Sequence, residues 1–251
     1  MSIDFLRASN DNFRETWQTI GSHYPGGENR QFGSVSVVSA GIPSPMYNRI
    51  FVFEPPNREE LSEAISWLTK QDVPFGVSVE DSVLDTVEEY AEDVGIERMD
   101  LSFPGMVHSS LSDIPPHEAD VNIVSVGTDS DFDAFCDVLT EVPEFPTEVN
   151  DVMPHSIRTD DSITLFVGRV SDQPAVCGWL GLTESSAGVF GIGVPEAYRR
   201  QGLGDAMTRR ILLAGHDAGS VVGVLQSTPM AVPLYEQLGF ETVTTYHIFT
   251  N

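Results

Sequence analysis

Apolar positions along the chain follow two periods, and the switches between them fall at glycine, proline and small polar residues. Phe13, Trp17 and Ile20 sit at helical spacing, so Ser9 to Ile20 predicts an amphipathic helix. Pro25-Gly26-Gly27 marks Ser22 to Asn29 as a loop. Alternation from Phe32 to Ala40 and from Tyr47 to Glu54 predicts two strands, joined as a hairpin at Gly41-Ile42-Pro43-Ser44-Pro45. A helix follows at Asn57, which can cap it. Glu60 stands where a capping box needs a carboxylate, and Leu61, Ala64, Ile65 and Leu68 line one face. Phe75 to Val79 reads as a strand, Asp81 to Val94 as a helix stopped by Gly95, and Ile96 to Phe103 as a strand ending at Pro104-Gly105.

Ser109 to Ala119 is polar, carries Pro115-Pro116 and has no period. It predicts a boundary between an N-terminal α/β domain, residues 1–115, and a second domain, residues 118–251. In the second, Asp120 to Val126 is a strand, Asp129 to Thr140 a helix, and Glu141 to His155 irregular with a short helix. Strands are expected at Ser162 to Val170, Ala175 to Leu182 and Ala187 to Val194, then a helix from Gly202 to Ala214. The strand Val221 to Gln226, the helix Ala231 to Leu238 stopped by Gly239, and the strand Phe240 to Phe249 complete the pattern. A strand meander that gives way to alternating strands and helices implies an α/β fold with a mixed sheet.

Charge narrows the classes of partner. Lys+Arg is 13 against Asp+Glu 38, a formal net charge of -25, and Lys70 is the only lysine. There is no basic stripe for nucleic acid, and no run of about 18 apolar residues for a membrane span. The N-terminus has no signal-peptide pattern, so a cytoplasmic location is expected. Many acids with almost no lysine suit a halophilic setting, since at 1 M salt the Debye length is about 3 Å; an ordinary acidic protein is the other reading. Cys136 and Cys177 show no metal-ligand spacing and are expected to be free thiols; no metal is expected.

Candidate chemistry concentrates in Gly191-Ile192-Gly193-Val194-Pro195-Glu196-Ala197-Tyr198-Arg199-Arg200-Gln201-Gly202-Leu203-Gly204-Asp205-Ala206. A buried strand ends, a basic turn follows, and two glycines stand at the mouth of a helix. Glycine lets backbone N–H groups come close to an anion, and the helix dipole and Arg199 and Arg200 add positive potential. The expected ligand is a phosphate or pyrophosphate. A dinucleotide fingerprint is not matched: the third glycine and the following acidic residue are missing.

This string resembles the Arg/Gln-x-x-Gly-x-Gly/Ala loop of the GNAT (GCN5-related) N-acetyltransferases. A second segment, Ala231-Val232-Pro233-Leu234-Tyr235-Glu236-Gln237-Leu238-Gly239-Phe240, is similar to their A-x-x-LYE-x-LGF signature at the matching spacing. The likeness covers roughly Asp120 to Asn251. It implies a GNAT fold there and acetyl-CoA as co-substrate. It also implies that Ile192, Gly193 and Val194 pair with the pantetheine arm and that Arg199, with the amides of Arg200, Gln201, Gly202, Leu203, Gly204, Asp205 and Ala206, holds the pyrophosphate. Tyr235 would be the catalytic acid that protonates the leaving thiolate. Thr228 stands where many members carry a cofactor-contacting Asn. Ser186 stands about where some members carry a glutamate base; Glu184 is nearby, and no base is assigned.

Residues 13–103 read α-β-β-α-β-α-β, partly repeating the C-terminal order without an Arg-x-x-Gly-x-Gly loop. This half is either a degenerate second copy of the GNAT fold or a chance likeness of short α/β units. The expected activity is N-acetyl transfer from acetyl-CoA to a primary amine, of a small molecule or of a peptide or protein N-terminus, by a monomer or homodimer. The alternative is an acyl-CoA-binding module without catalysis.

Overall fold

The computed structural model describes residues 3–142 and 153–251. In chain order its elements are α1 (Phe5–Ser22), β1 (Glu28–Phe32), β2 (Val35–Ser39), β3 (Asn48–Val52), α2 (Arg58–Thr69), β4 (Gly76–Glu80), α3 (Leu84–Val94), β5 (Glu97–His108) and β6 (Asn122–Ser125). There follow α4 (Asp129–Thr140), β7 (Ile163–Val170), β8 (Gln173–Leu182), β9 (Ser186–Gly193), α5 (Leu203–Asp217), β10 (Val222–Gln226), α6 (Val232–Gln237) and β11 (Glu241–Thr250). They divide between two compact units that are not contiguous in sequence. The first holds Met1–Asn12, Val107–Leu225 and Pro233–Glu241; the second holds Phe13–Met106, Gln226–Val232 and Thr242–Asn251.

In the first unit the strands run in the order β10-β9-β8-β7-β6. Pairings from β6 to β9 are antiparallel, and β10 lies parallel to β9 after the crossover through α5. Inward positions of β7 and β8 (Leu165, Val167, Cys177, Trp179) and of the two helices (Phe135, Leu139, Met207, Ile211) are buried. Both thiols are free; Cys177 is buried and Cys136 half-buried.

In the second unit the order is β1-β2-β3-β4-β11-β5. β3 and β4 are parallel, joined through α2, and β11 returns antiparallel to β4. Val35, Val37, Ile50, Val52, Val77 and Val79 face Leu61, Leu68 and Val87 in one core. The period-two alternation puts Arg49, Phe51 and Ser78 on the opposite face, where Phe13 and Trp17 of α1 pack. Each fully buried Leu or Phe of these cores contributes roughly 2 kcal/mol over the exposed state.

Three elements differ from the expectations. α1 begins four residues early because Asp4 accepts the Arg7 amide at 3.1 Å as its cap. Glu28–Phe32 is a strand of its own, so the expected loop ends before Glu28 and the strand expected from Phe32 to Ala40 is broken by a turn before Val35. It pairs along β2, and only Phe32 of its five residues is not exposed, so it carries no apolar alternation. β5 runs through Pro104-Gly105 to His108. The capping box at Asn57 is present: Glu60 N–H donates to Asn57 Oδ1 at 3.0 Å, and the Glu60 carboxylate accepts the Asn57 amide at 3.2 Å. Residues 143–152, within the stretch expected to be irregular with a short helix, lie outside the described residues.

Candidate functional site

The site is built from β9, the turn after it and the start of α5. Along β8 and β9 the pairing runs in step from Leu182↔Ala187 to Trp179↔Phe190, and then resumes at Cys177↔Gly193. β9 therefore holds one extra residue opposite Gly178, a bulge. Gly191 takes φ +57° there, and a Cβ on it would lie 1.7 Å from Cζ3 of the Trp179 ring. Only glycine fits. The parallel ladder of β9 with β10 runs from Ser186↔Val222 to Gly188↔Val224, after which β9 continues for five residues to Gly193. Ile192 sits in the bulge, Gly193 ends the strand, and Val194 stands just beyond it.

The turn is closed by Arg199, whose Nε donates to the Val194 carbonyl at 3.0 Å. Arg200 (φ +63°) and Gly202 (φ +77°) are both left-handed and flank Gln201. α5 starts at Gly202 without any side-chain cap, and the Ala206 amide makes the bond to the Gly202 carbonyl at 3.0 Å. The amides of Leu203, Gly204 and Asp205 come before that bond, in the set of donors that a helix start leaves unsatisfied. Leu203 and Ala206 are buried and anchor the first turn, whereas Arg199, Arg200, Gln201 and Gly202 are exposed. The acid nearest this helix mouth is held down its own helix: Arg209 grips Asp205 bidentately at 2.8 and 3.1 Å. Positive potential is thereby kept at the turn.

Tyr235 of α6 is buried, and its ring meets that of Phe240 edge-on at 5.8 Å. α6 ends in a Schellman arrangement, with Gly239 at φ +92° and the Phe240 amide donating to the Tyr235 carbonyl at 3.0 Å. Behind Phe240 lies His108, ring centroids 5.5 Å apart; burial holds its imidazole below the usual range, against weaker pulls from the backbone of Ser110 and Leu238. Burial pushes the Tyr235 phenol up to about 12, so it is protonated at neutral pH. Sequence reasoning did not single out Trp179, Arg209 or His108. Of these, only the Asp205–Arg209 pair was legible, as an i, i+4 spacing.

Thr228 belongs to the second unit, in a turn where the Ala231 amide donates to its carbonyl at 3.0 Å. Ser186 opens β9 at the end opposite the basic turn; it is buried and bonded to Thr183 at 3.1 Å. Glu184 is exposed beside it. At about 3.3 Å per residue, the length of β9 separates both from Val194.

The family model described as "Acetyltransferase (GNAT) domain" matches residues 135–249. This stretch is a GNAT domain. Solved structures extend the likeness of fold to the rest of the chain. A GCN5-related N-acetyltransferase from Kribbella flavida is 14% identical, with 100% of this chain and 96% of that one covered and a TM-score of 0.72. A tandem GNAT protein from the clavulanic acid biosynthesis pathway is 14% identical over 94% of this chain and 87% of its own, TM-score 0.63. A functionally unknown conserved protein from Staphylococcus epidermidis is 19% identical over 90% and 95%, TM-score 0.62. No curated protein matches the sequence.

The second unit also has a strand that leads into a helix, β3 into α2, and this junction is closed. β3 pairs with β4 as far as its last residue, Val52↔Val79, so no strand end opens. The helix that follows, α2, starts on Asn57 with its amides taken by the capping box, and Glu59 and Glu60 stand in its first turn. Such a start, with its amides used and two carboxylates beside them, is unfavourable for an anion. Among the described residues no three His, Cys, Asp or Glu gather as a metal site, and no helix is long and apolar enough to cross a membrane.

Proposed function

We propose that the GNAT domain, residues 118–251, transfers an acetyl group from acetyl-CoA to a primary amine of a small molecule or of a peptide or protein N-terminus. The single observation that carries this reading is the uncapped start of α5 beside the bulged end of β9. Free helix-start amides, two left-handed residues and two arginines suit a pyrophosphate, and the strand that outruns its ladder suits the amides of a pantetheine arm. Ile192, Gly193 and Val194 line that arm; Arg199, Arg200, Gln201, Gly202, Leu203, Gly204, Asp205 and Ala206 form the pyrophosphate cradle.

In the reaction a neutral amine attacks the thioester carbonyl. The ammonium nitrogen of the tetrahedral intermediate loses its extra proton to water, the intermediate collapses with cleavage of the C–S bond, the thiolate takes a proton from Tyr235, and water returns a proton to the tyrosinate. The products are an N-acetyl amide and CoA thiol. Burial keeps the Tyr235 phenol protonated at neutral pH, which supports Tyr235 as the donor. With Glu184 and Ser186 at the far end of β9, water rather than a fixed carboxylate carries the amine's proton. Positioning of the amine then supplies much of the rate.

Thiol release from acetyl-CoA in molar KCl, with a panel of primary amines, tests the reading. Tyr235→Phe is expected to lower kcat by about 100-fold or more while acetyl-CoA affinity stays within a factor of about three. Acetyl-CoA binding without turnover on any amine overturns the enzyme and leaves an acyl-CoA-binding module. The acidic composition supports a salt-adapted protein without nucleic acid as partner.

A further inference from the structure

Tyr235, the acid of the acyl-transfer reading, stands on a helix too short to hold its own place. α6 spans six residues, Val232–Gln237, and a helix shorter than about 12 residues is marginal in water without tertiary support. A proton donor works only when it is held within about 0.5 Å of its productive position. The support for α6 must therefore come from outside it. The apolar part is Leu238 and Phe240, both buried just beyond the helix. The polar part is His108, the last residue of β5.

His108 lies in the same compact unit as Tyr235. It is wedged between β10 and the stop of α6. On one side, a Cβ on Gly223 would lie 3.5 Å from the His108 Cβ; on the other, a Cβ on Gly239 would lie 2.9 Å from Nε2 and 3.2 Å from Cδ2. The imidazole meets Phe240 edge-on at 5.5 Å, and Phe240 meets Tyr235 edge-on at 5.8 Å. Imidazole, phenyl and phenol thus stand in one row. Phe240 separates the outer two, so His108 acts on the phenol through its neighbour and not by contact.

The imidazole is held by its polar edge as well. Nδ1 is buried without a hydrogen-bond partner. A neutral imidazole has one N–H and one bare nitrogen, and Nδ1 suits the bare one. The proton then sits on Nε2, at the Gly239 end. Carbonyls at a helix end lack an intrahelical partner, and Leu238 offers one there. Burial lowers the basicity of the ring, and the backbones of Ser110 and Leu238 oppose it.

We propose that His108 is the positioning residue of the reaction: it anchors the end of α6 at Leu238 and Gly239 and, through Phe240, fixes where the Tyr235 phenol stands. This rests on Tyr235 as the acid that protonates the thiolate. None of these residues belongs to the turn from Arg199 to Gly204, so loss of the anchor should cost kcat and spare acetyl-CoA affinity.

The test uses the full chain in molar KCl, with 3-fluorotyrosine in place of tyrosine for the spectra. The fluorine resonance of Tyr235 is assigned by its loss in Tyr235→Phe. His108→Phe keeps a ring in the row and removes the N–H; it should shift or broaden the Tyr235 resonance and lower kcat for thiol release about tenfold, as a small misplacement of a catalytic group does. His108→Gln puts an amide N–H near the place of Nε2 and should restore both. Calorimetric acetyl-CoA affinity should be unchanged in both variants. Should His108→Phe fail to fold, His108→Asn, whose amide is too short to reach Leu238, takes its place. A Tyr235 resonance or a kcat that does not respond to loss of the N–H overturns this proposal alone, as does a His108→Gln protein no better than His108→Phe. A wild-type protein that acetylates no amine overturns the acyl-transfer reading and the positioning role with it.

Discussion

Replacing Gly191 with alanine attacks the bulge directly, and its cost can be worked from two separate contributions. The residue holds φ +57°, a left-handed conformation that costs a non-glycine residue roughly 1–2 kcal/mol. The new methyl would stand 1.7, 2.3 and 2.4 Å from three carbons of the Trp179 ring. That ring has little room to retreat: it is 3% exposed, stacked on Phe190 at 6.2 Å and set edge-on to Phe135 at 6.4 Å. Overpacking of this kind costs about 1–3 kcal/mol, for a total of roughly 2–5 kcal/mol. Two neighbouring glycines supply internal controls. Gly202→Ala meets only the Ala119 methyl at 3.7 Å, so it carries the conformational part alone, about 1–2 kcal/mol. Gly204, inside α5, has contacts of 3.8 Å and no left-handed φ, so alanine there should be neutral or stabilising by up to ~1 kcal/mol. Thermal melts followed by circular dichroism at fixed KCl should rank the variants Gly204→Ala, Gly202→Ala, Gly191→Ala from most to least stable. A Gly191→Ala protein that melts no lower than Gly202→Ala would refute the argument that Trp179 reserves the space above the bulge.

Two further perturbations probe charge. Arg209→Met releases the Asp205 carboxylate at the mouth of α5; acetyl-CoA affinity should fall about tenfold at low salt and less in molar KCl, measured by calorimetry, since exposed charges are screened. Glu60 is held below the usual glutamate range, first by the Asn57 amide and then by Ser34. A lowered carboxyl stabilises the fold above its unfolded pKa and loses that effect as pH falls through the folded one, so the melting advantage of wild type over Glu60→Ala should be full near neutrality and shrink below about pH 4.5.

Legibility in the sequence tracked how local each signal was. The capping box at Asn57 and Glu60 rests on two residues three apart, and it is found as read. The stop at Gly95 needs one left-handed residue, and Gly95 has φ +75°. The turn from Arg199 to Gly204 was visible because glycine, arginine and helix periodicity fall in one short stretch. By contrast, β1 is almost wholly polar, so it becomes a strand only when β2 offers its backbone. The bulge was hidden because Gly191 sits inside an apolar run, and its meaning depends on Trp179, twelve residues earlier and across the ladder. The row from His108 to Tyr235 needs the end of β5 beside the stop of α6. No window along the chain contains both.

The second unit closes its sheet with β11, the last strand of the chain. β4 emerges early in synthesis, yet its antiparallel partner is made only after residues 107–225. Until then the edge of β4, five buried residues long, is an open template for other chains. Loop closure over such a span is slow to nucleate. A fragment cut between Ser109 and Ala119 would keep that edge exposed for good. The second unit thus depends on the last strand of the chain, and its N-terminal residues cannot be expressed as a separate cassette without that strand being moved as well.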